Sequence, residues 1–364
     1  MLPAKTPAAE PGAKIRVLVV DDSVVIRRIL VDALSSDPRI EVVGTAANGA
    51  LAIDRVTALK PDLVTLDIEM PEMDGLAALR EIKKINRRIR VIMCSTLTER
   101  GATVTMDALA LGADDYITKS SNNHSDAGLA GLRAPLLAKV RQFFPEAAKP
   151  PVAAALEPKS TAPRAASAPR SVQKRPQAIV IGVSTGGPNA LAEVIPKLPA
   201  DLPLPVLIVQ HMPPMFTRLL AERLNTSSKL NVIEAAEGMS VERGNVYIAP
   251  GDFHMTVQRE ARRVVIKLNK DPMENSCRPA VDVLFRSAAS VYDGATVAVI
   301  LTGMGQDGHK GVRHLRSMGS TVIAQDEATS VVWGMPGYVV RDGLADHVCP
   351  LTAVAPEIVK QAGR

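Results

Sequence analysis

Residues 14–34 read KIRVLVVDDSVVIRRILVDAL. An almost unbroken β-branched run ends on two acids, and apolar residues then recur at helical spacing, the pattern of a buried strand, a turn and an amphipathic helix. The unit repeats through IEVVGTA (40–46), GALAIDRVTAL (49–59), PDLVTLD (61–67), GLAALREIKKI (75–85), IRVIMCS (89–95), TVTMDALALG (103–112) and DDYITKS (114–120), with a last helical segment to about Phe144. Strands alternating with helices predict an α/β, doubly wound (flavodoxin-like) N-terminal domain over residues 14–144.

In such a sheet ligands bind beyond the carboxyl ends of the strands. Those ends carry Asp21 and Asp22, Asp67, Ser95 and Lys119. Each acid alone reads as a cap or turn residue. Together they form a hard-oxygen site suited to Mg²⁺, with Asp67 able to attack phosphorus and Lys119 and Ser95 able to meet phosphoryl oxygens.

VVDDS (19–23), LDIEMPEMDGL (66–76) and the late YITK (116–119) resemble the receiver domain of two-component response regulators. The resemblance implies that Asp67 is the phospho-acceptor and that Asp21, Asp22, Asp67 and the backbone carbonyl of Glu69 form the Mg²⁺ site. It further implies that Ser95 and Lys119 sense the phosphate and that Tyr116 repositions with phosphorylation. Ser120 departs from the proline that usually follows the lysine.

Residues 145–176 are rich in Pro, Ala and Ser, with six basic and two acidic residues. They supply most of the chain's net charge of +5 and predict a flexible linker, leaving the rest almost neutral. The 364 residues are 46% hydrophobic and 22% charged, so a sizeable core is expected rather than disorder. Aromatics are only 3%, too few for the stacking platforms of single-stranded nucleic-acid binders. Cys94, Cys277 and Cys349 lie far apart, which predicts a reducing compartment, and Cys277 and Cys349 are expected merely to fill space. With no signal peptide and no run of about 18 apolar residues, a cytoplasmic protein without membrane insertion is expected.

After the linker, alternation resumes over residues 177–364: QAIVIGV (177–183), helical PNALAEVIPKL (188–198), LPVLIVQ (204–210) and helical MFTRLLAERLN (215–225). Short strands from Leu230 to Leu268 read as hairpins on an α/β frame, and AVDVLFRSAAS, ATVAVILTG, GVRHLRSMG, STVIAQD and a helical tail from about Pro350 complete a second, mainly parallel domain. Ser184 sits in Gly-Val-Ser-Thr-Gly (182–186), which fits the G-x-S-x-G strand-to-helix turn. A phosphate loop would need a lysine before the hydroxyl residue, and a dinucleotide loop G-x-G-x-x-G; neither is present. A hydrolase needs a base and an orienting carboxylate, and His211 and Asp307 follow later strands. His254, His309 and His314 are weaker candidates.

IGVSTGGP, VQHMPPMFTRLLAERLN, GNVYIAPGDFHM, RPAVDVLFRSAA, LTGMGQDG and VVWGMPG resemble the catalytic domain of the chemotaxis protein-glutamate methylesterases, the CheB family. The resemblance implies Ser184 as nucleophile, His211 as general base and acid, and Asp307 as the group orienting the imidazole. Thr185 and Met304 would line the site, with main-chain amides such as that of Met304 stabilising the oxyanion. It implies a phosphorylation-activated hydrolase acting on glutamate γ-methyl esters of chemoreceptors, releasing methanol, and deamidating receptor glutamines. A histidine kinase would supply the phosphoryl group, Mg²⁺ would serve the receiver alone, and ester hydrolysis would need no metal. The alternative is a same-fold esterase or amidase serving a non-chemotactic pathway. A DNA-binding output is disfavoured, since the second half has no helix-turn-helix or basic reading helix.

Overall fold

A computed structural model describes residues 14–96, 98–119, 126–144 and 174–363. Most of the expected linker, 145–173, lies outside the described residues, as does Ser120.

In the N-terminal half, β1 (Ile15–Val20), β2 (Ile40–Ala46), β3 (Leu63–Asp67), β4 (Arg90–Thr96) and β5 (Asp115–Lys119) form a parallel sheet in the order β2-β1-β3-β4-β5. Its helices are α1 (Val24–Ser35), α2 (Gly49–Leu59), α3 (Gly75–Ile85), α4 (Glu99–Ala110) and α5 (Asp126–Phe143). Central β3 is buried along its whole length, as a strand covered by helices on both faces must be. Side chains of Ser23, Asn48, Asp74 and Thr98 accept from first-turn amides of α1, α2, α3 and α4. Such caps fix where each helix starts, just past a strand end.

The C-terminal half holds β6 (Ala178–Val183), α6 (Gly187–Val194), β7 (Val206–Gln210), α7 (Phe216–Ser227), β8 (Asn231–Glu234), β9 (Asn245–Ile248), β10 (His254–Glu260) and β11 (Arg263–Asn269). It continues with α8 (Val281–Tyr292), β12 (Thr296–Ile300), α9 (His309–Ser317), β13 (Thr321–Gln325), α10 (Met335–Arg341), β14 (His347–Cys349) and α11 (Leu351–Gln361). Seven strands pair in parallel in the order β14-β13-β12-β6-β7-β9-β8. Strand alternation divides the core: Ile179, Ile181 and Val183 face α6, α7 and α11, whereas Ala178 and Val180 face α8, α9 and α10.

The expectation of hairpins from Leu230 to Leu268 needs correction. Only β10 and β11 form an antiparallel hairpin, while β8 and β9 pair in parallel at the edge of the main sheet. Parallel neighbours need a crossover, and the segment after β8 provides one by pairing with β11: Gly238 N donates to Ile266 O, Ile266 N to Met239 O, and Val241 N to Val264 O. The short α10 and β14 were not foreseen. Pro336 starts α10, and a three-residue strand carries too little periodicity to be read from sequence.

Candidate active site

Both sheets reverse direction of growth at one point, and the polar residues gather there, at the carboxyl ends. In the first sheet β1 ends beside β3, so Asp21, Asp22 and Asp67 bring carboxylate oxygens within 4.8 Å of one another. Lys119, from the end of β5, sets its Nζ 2.7 Å from Asp21 and 2.6 Å from Asp67. Burial raises the Asp67 pKa to about 6 against the pull of Lys119. Burial disfavours the Lys119 ammonium, but Asp67 and Asp21 outweigh it and raise its pKa. Glu69, Ser95 and Asp22 line the same cavity, of about 320 Å³. Ser95 Oγ donates within its own domain, toward Thr96 O and Gly101 O, rather than to Asp67. Three converging carboxylates with one lysine as countercharge fit a divalent hard cation.

In the second sheet β6 lies between β12 and β7, and these three strands deliver Ser184, the loop of Met304 and Asp307, and His211. After Val183 the chain turns sharply through Gly186 at φ +76°, where a Cβ would stand 2.7 Å from Val331. The turn therefore needs glycine. Gln210, itself buried, donates from Nε2 to Ser184 O at 3.0 Å and pins the turn to β7. Gly303 lies so close that a Cβ there would come 2.8 Å from Ser184 Cβ, which brings the following Met304 beside the serine. The Met304 side chain points outward, 44% exposed, and does not line the serine cavity.

His211 Nε2 bonds to Asp307 Oδ2 at 2.8 Å. Burial works to lower the imidazole pKa, but Asp307 outweighs it and raises it well above the ordinary histidine value. Burial correspondingly works to raise Asp307, and the His211 bond with the amides of Val281 and Asp282 wins and lowers it. With Nε2–H given to Asp307, Nδ1 is left as an acceptor, which a hydroxyl must share with or take from the Cys277 thiol. Cys277 Sγ stands 3.5 Å from Nδ1, so this cysteine is not the space-filler expected. Ser184 Oγ makes no hydrogen bond among the described residues, although Ser184 and His211 line one cavity of about 50 Å³.

Of the other histidines, His254 is buried and structural, accepting from Ala280 N and facing Pro272 O. His309 pairs with Asp342 on the surface.

The serine cavity is small because the N-terminal domain covers it. Tyr116 stacks on Phe216 with ring centroids 4.7 Å apart and planes 7° from parallel. Thr185 Oγ1 shares its proton between Asp115 Oδ2 and Gln142 Oε1, each at 3.2 Å. Asn189 Nδ2 donates to Leu109 O at 2.8 Å, Arg223 Nη1 to Met106 O at 2.7 Å, and Arg218 pairs with Glu99. Asp115 and Tyr116 open the strand that Lys119 closes, so one short strand touches both sites. Sequence reading missed Phe216, Asp115, Asn189 and Arg223, because spacing along a chain does not reveal which surfaces of two domains meet.

Comparison with known proteins supplies the rest. The CheB methylesterase profile matches residues 179–358 and the response regulator receiver domain profile residues 17–125. A Trichodesmium erythraeum protein named protein-glutamate methylesterase/protein-glutamine glutaminase is 46% identical over 351 residues, covering 96% of this chain and 99% of its own. A Nocardioides protein of the same name is 48% identical over 356 residues, covering 97% of this chain and 96% of its own. The crystal structure of the Thermotoga maritima CheB methylesterase catalytic domain superposes with a TM-score of 0.50 at 47% identity, covering 51% of this chain and 98% of that one. Fold and relatives together define a response-regulator receiver joined to an α/β ester hydrolase. The chain belongs to the CheB methylesterase family. Among the described residues no helix is long and apolar enough to cross a membrane.

Proposed function

We propose that this protein is a phosphorylation-activated esterase that removes methyl groups from glutamate γ-methyl esters of chemoreceptors and deamidates receptor glutamines by the same acyl chemistry. The observation that carries the reading is the 2.8 Å His211–Asp307 bond beside Ser184 at the edge of one sheet. Ser184 Oγ attacks the ester carbonyl while His211 Nδ1 takes its proton; the C–O bond to the methoxy group breaks, and the same proton leaves with methanol. Water, deprotonated by His211, then cleaves the acyl-serine to glutamate and restores the hydroxyl. Asp307 keeps the imidazole in the tautomer that presents Nδ1 and stabilises the imidazolium that forms. The backbone amides of Thr185 and Met304, near Ser184 and without an acceptor among the described residues, are the candidates to meet the oxyanion.

The N-terminal domain holds this machinery shut. It narrows the space beside Ser184 and His211 to a cavity of about 50 Å³, enough for a few water molecules. Phosphorylation of Asp67 by a histidine kinase would recruit Lys119 and Ser95 toward the phosphoryl group and disturb β5, loosening Asp115 from Thr185 and Tyr116 from Phe216. Asp21, Asp22, Asp67 and the Glu69 carbonyl would hold Mg²⁺, which supplies charge neutralisation for the incoming phosphoryl group. The cytoplasm, where receptor tails and kinase reside, is the compartment this function requires.

Methanol release from methylated receptor membranes tests the reading, comparing wild type with Ser184→Ala, each with and without a small-molecule phosphodonor and Mg²⁺. Release that requires Ser184 and rises with phosphodonor is expected. Release unaffected by Ser184→Ala would remove Ser184 from the chemistry.

A further inference from the structure

Asp307 does more than face His211. Its Oδ2 accepts from Val281 N at 2.6 Å and its Oδ1 from Asp282 N at 3.1 Å, so it caps the amino end of α8. Asp282, in the first turn of α8, accepts from Gly311 N at 2.6 Å through Oδ1 and so serves the amino end of α9, the helix that follows Asp307. Asp307, in the loop just before α9, caps α8, and Asp282 of α8 serves α9, in place of the local side-chain caps both helices lack. The arrangement sets two carboxylates side by side, with Asp282 wholly buried and Asp307 only 2% exposed. Burial and the neighbouring Asp307 charge raise the Asp282 pKa, against the hydrogen bonds it accepts.

One side chain joins the two. Asn275 Nδ2 donates to Asp307 Oδ1 at 2.8 Å and to Asp282 Oδ2 at 3.0 Å, spending both amide protons on the pair. Asn275 stands at φ +52° and Ser276 at +61°, closed by reciprocal bonds between the backbones of Glu274 and Cys277, the pattern of a type I′ turn. Asparagine suits such a turn for backbone reasons alone. Its side chain, however, is committed to the two acids rather than to its own turn.

We infer that Asn275 is a positioning residue for ester hydrolysis. By bridging Asp282 and Asp307 it supplies the donors that let two carboxylates coexist in a buried site, and it holds Asp307 in the plane that meets His211 Nε2. Without the bridge Asp307 keeps the amides of Val281, Asp282 and Gly308 but loses the one side-chain donor on Oδ1, and the carboxylate plane that directs His211 is held less firmly. The inference rests on Ser184, His211 and Asp307 being the hydrolytic triad.

Three variants of the full-length protein separate the bridge from the turn. Asn275→Gly keeps a residue at ease at positive φ and removes only the amide. Its kcat for methanol release, measured with phosphodonor on methylated receptor membranes, is expected to fall about tenfold with KM within twofold, the loss of roughly one hydrogen bond to a charged group. Ser276→Gly relaxes the turn and leaves the bridge, and is expected to keep the wild-type kcat. Asn275→Asp tolerates the turn but sets a third negative charge beside the pair, so the acid limb of the kcat profile and the His211 titration followed by NMR both move to higher pH. Wild-type kcat in Asn275→Gly, or an equal fall in Ser276→Gly, overturns the inference. So does an unshifted His211 titration in Asn275→Asp, a reading that does not depend on which ester is the substrate.

Discussion

Around Asp67 the cavity measures about 320 Å³; around Ser184 it measures about 50 Å³. Both sites lie at the carboxyl edge of a parallel sheet, at the point where strand order reverses. The first is crowded with charge, three carboxylates against one ammonium. The second carries its acid-base pair already bonded and is narrowed by the domain packed over it. The contrast places control, on the function proposed above, in the contact between the two domains: the receiver would regulate admission to the hydrolase beneath it.

Replacing Asp307 by Asn tests the assembled half of that contrast most severely. The ester-hydrolysis kcat is expected to fall by roughly 10³- to 10⁴-fold, as when the orienting acid of a Ser-His-Asp triad is neutralised. The residual activity should retain its acid limb at lower pH, because the carboxylate that raises the His211 pKa is gone. A variant with undiminished kcat would mean that some other group orients the imidazole.

Any stimulation by phosphodonor is expected to depend on the crowded half. Asp67→Asn, or chelation of Mg²⁺ in the wild type, is expected to abolish the stimulation while leaving unstimulated methanol release within about twofold, since neither change touches residues of the serine cavity. Stimulation that survives Asp67→Asn would place the phosphoryl group elsewhere.

Loosening the cover should act without phosphorylation. Arg223→Glu removes the bond to Met106 O and sets a second negative charge against Asp107. Unstimulated activity is expected to rise about three- to tenfold, the effect of roughly 1 kcal/mol on a rare open state. Unchanged activity, with the fold intact, would show that this edge of the contact contributes nothing to closure.

The smallest effect concerns stability. Folding raises the Asp67 pKa from 3.8 to about 6, so between those values the folded chain keeps a proton that the unfolded chain has released. Stability therefore falls as pH rises through this window, and the penalty is fully present above it. Asp67→Asn should stabilise the N-terminal domain by about 1–2 kcal/mol at pH 7.5 and by almost nothing near pH 4, as read from thermal melts. Equal stabilisation at both pH values would point to packing rather than charge.

Much of both sites was legible in the chain because strand ends are legible. VVDDS, LDIEM, YITK and VQHMP each join an apolar run to a polar residue, and a parallel sheet necessarily collects such residues at one edge. Less was legible where contacts run between distant segments. Leu230–Leu268 has the short strands expected, but whether β8 meets β9 in parallel or as a hairpin depends on a loop that pairs with β11. Cys277 read as filler, since nothing along the sequence links it to His211.

From the sequence alone followed the two α/β halves, the acids at strand ends and the serine turn, because periodicity and punctuation are local properties of a chain. Tertiary structure alone decided that Tyr116 lies on Phe216, that Asp115 reaches Thr185, and that Asn275 joins Asp282 to Asp307. Those pairs are 100, 70, 7 and 32 residues apart, and only the closing of surfaces over one another brings such groups within hydrogen-bonding or van der Waals reach.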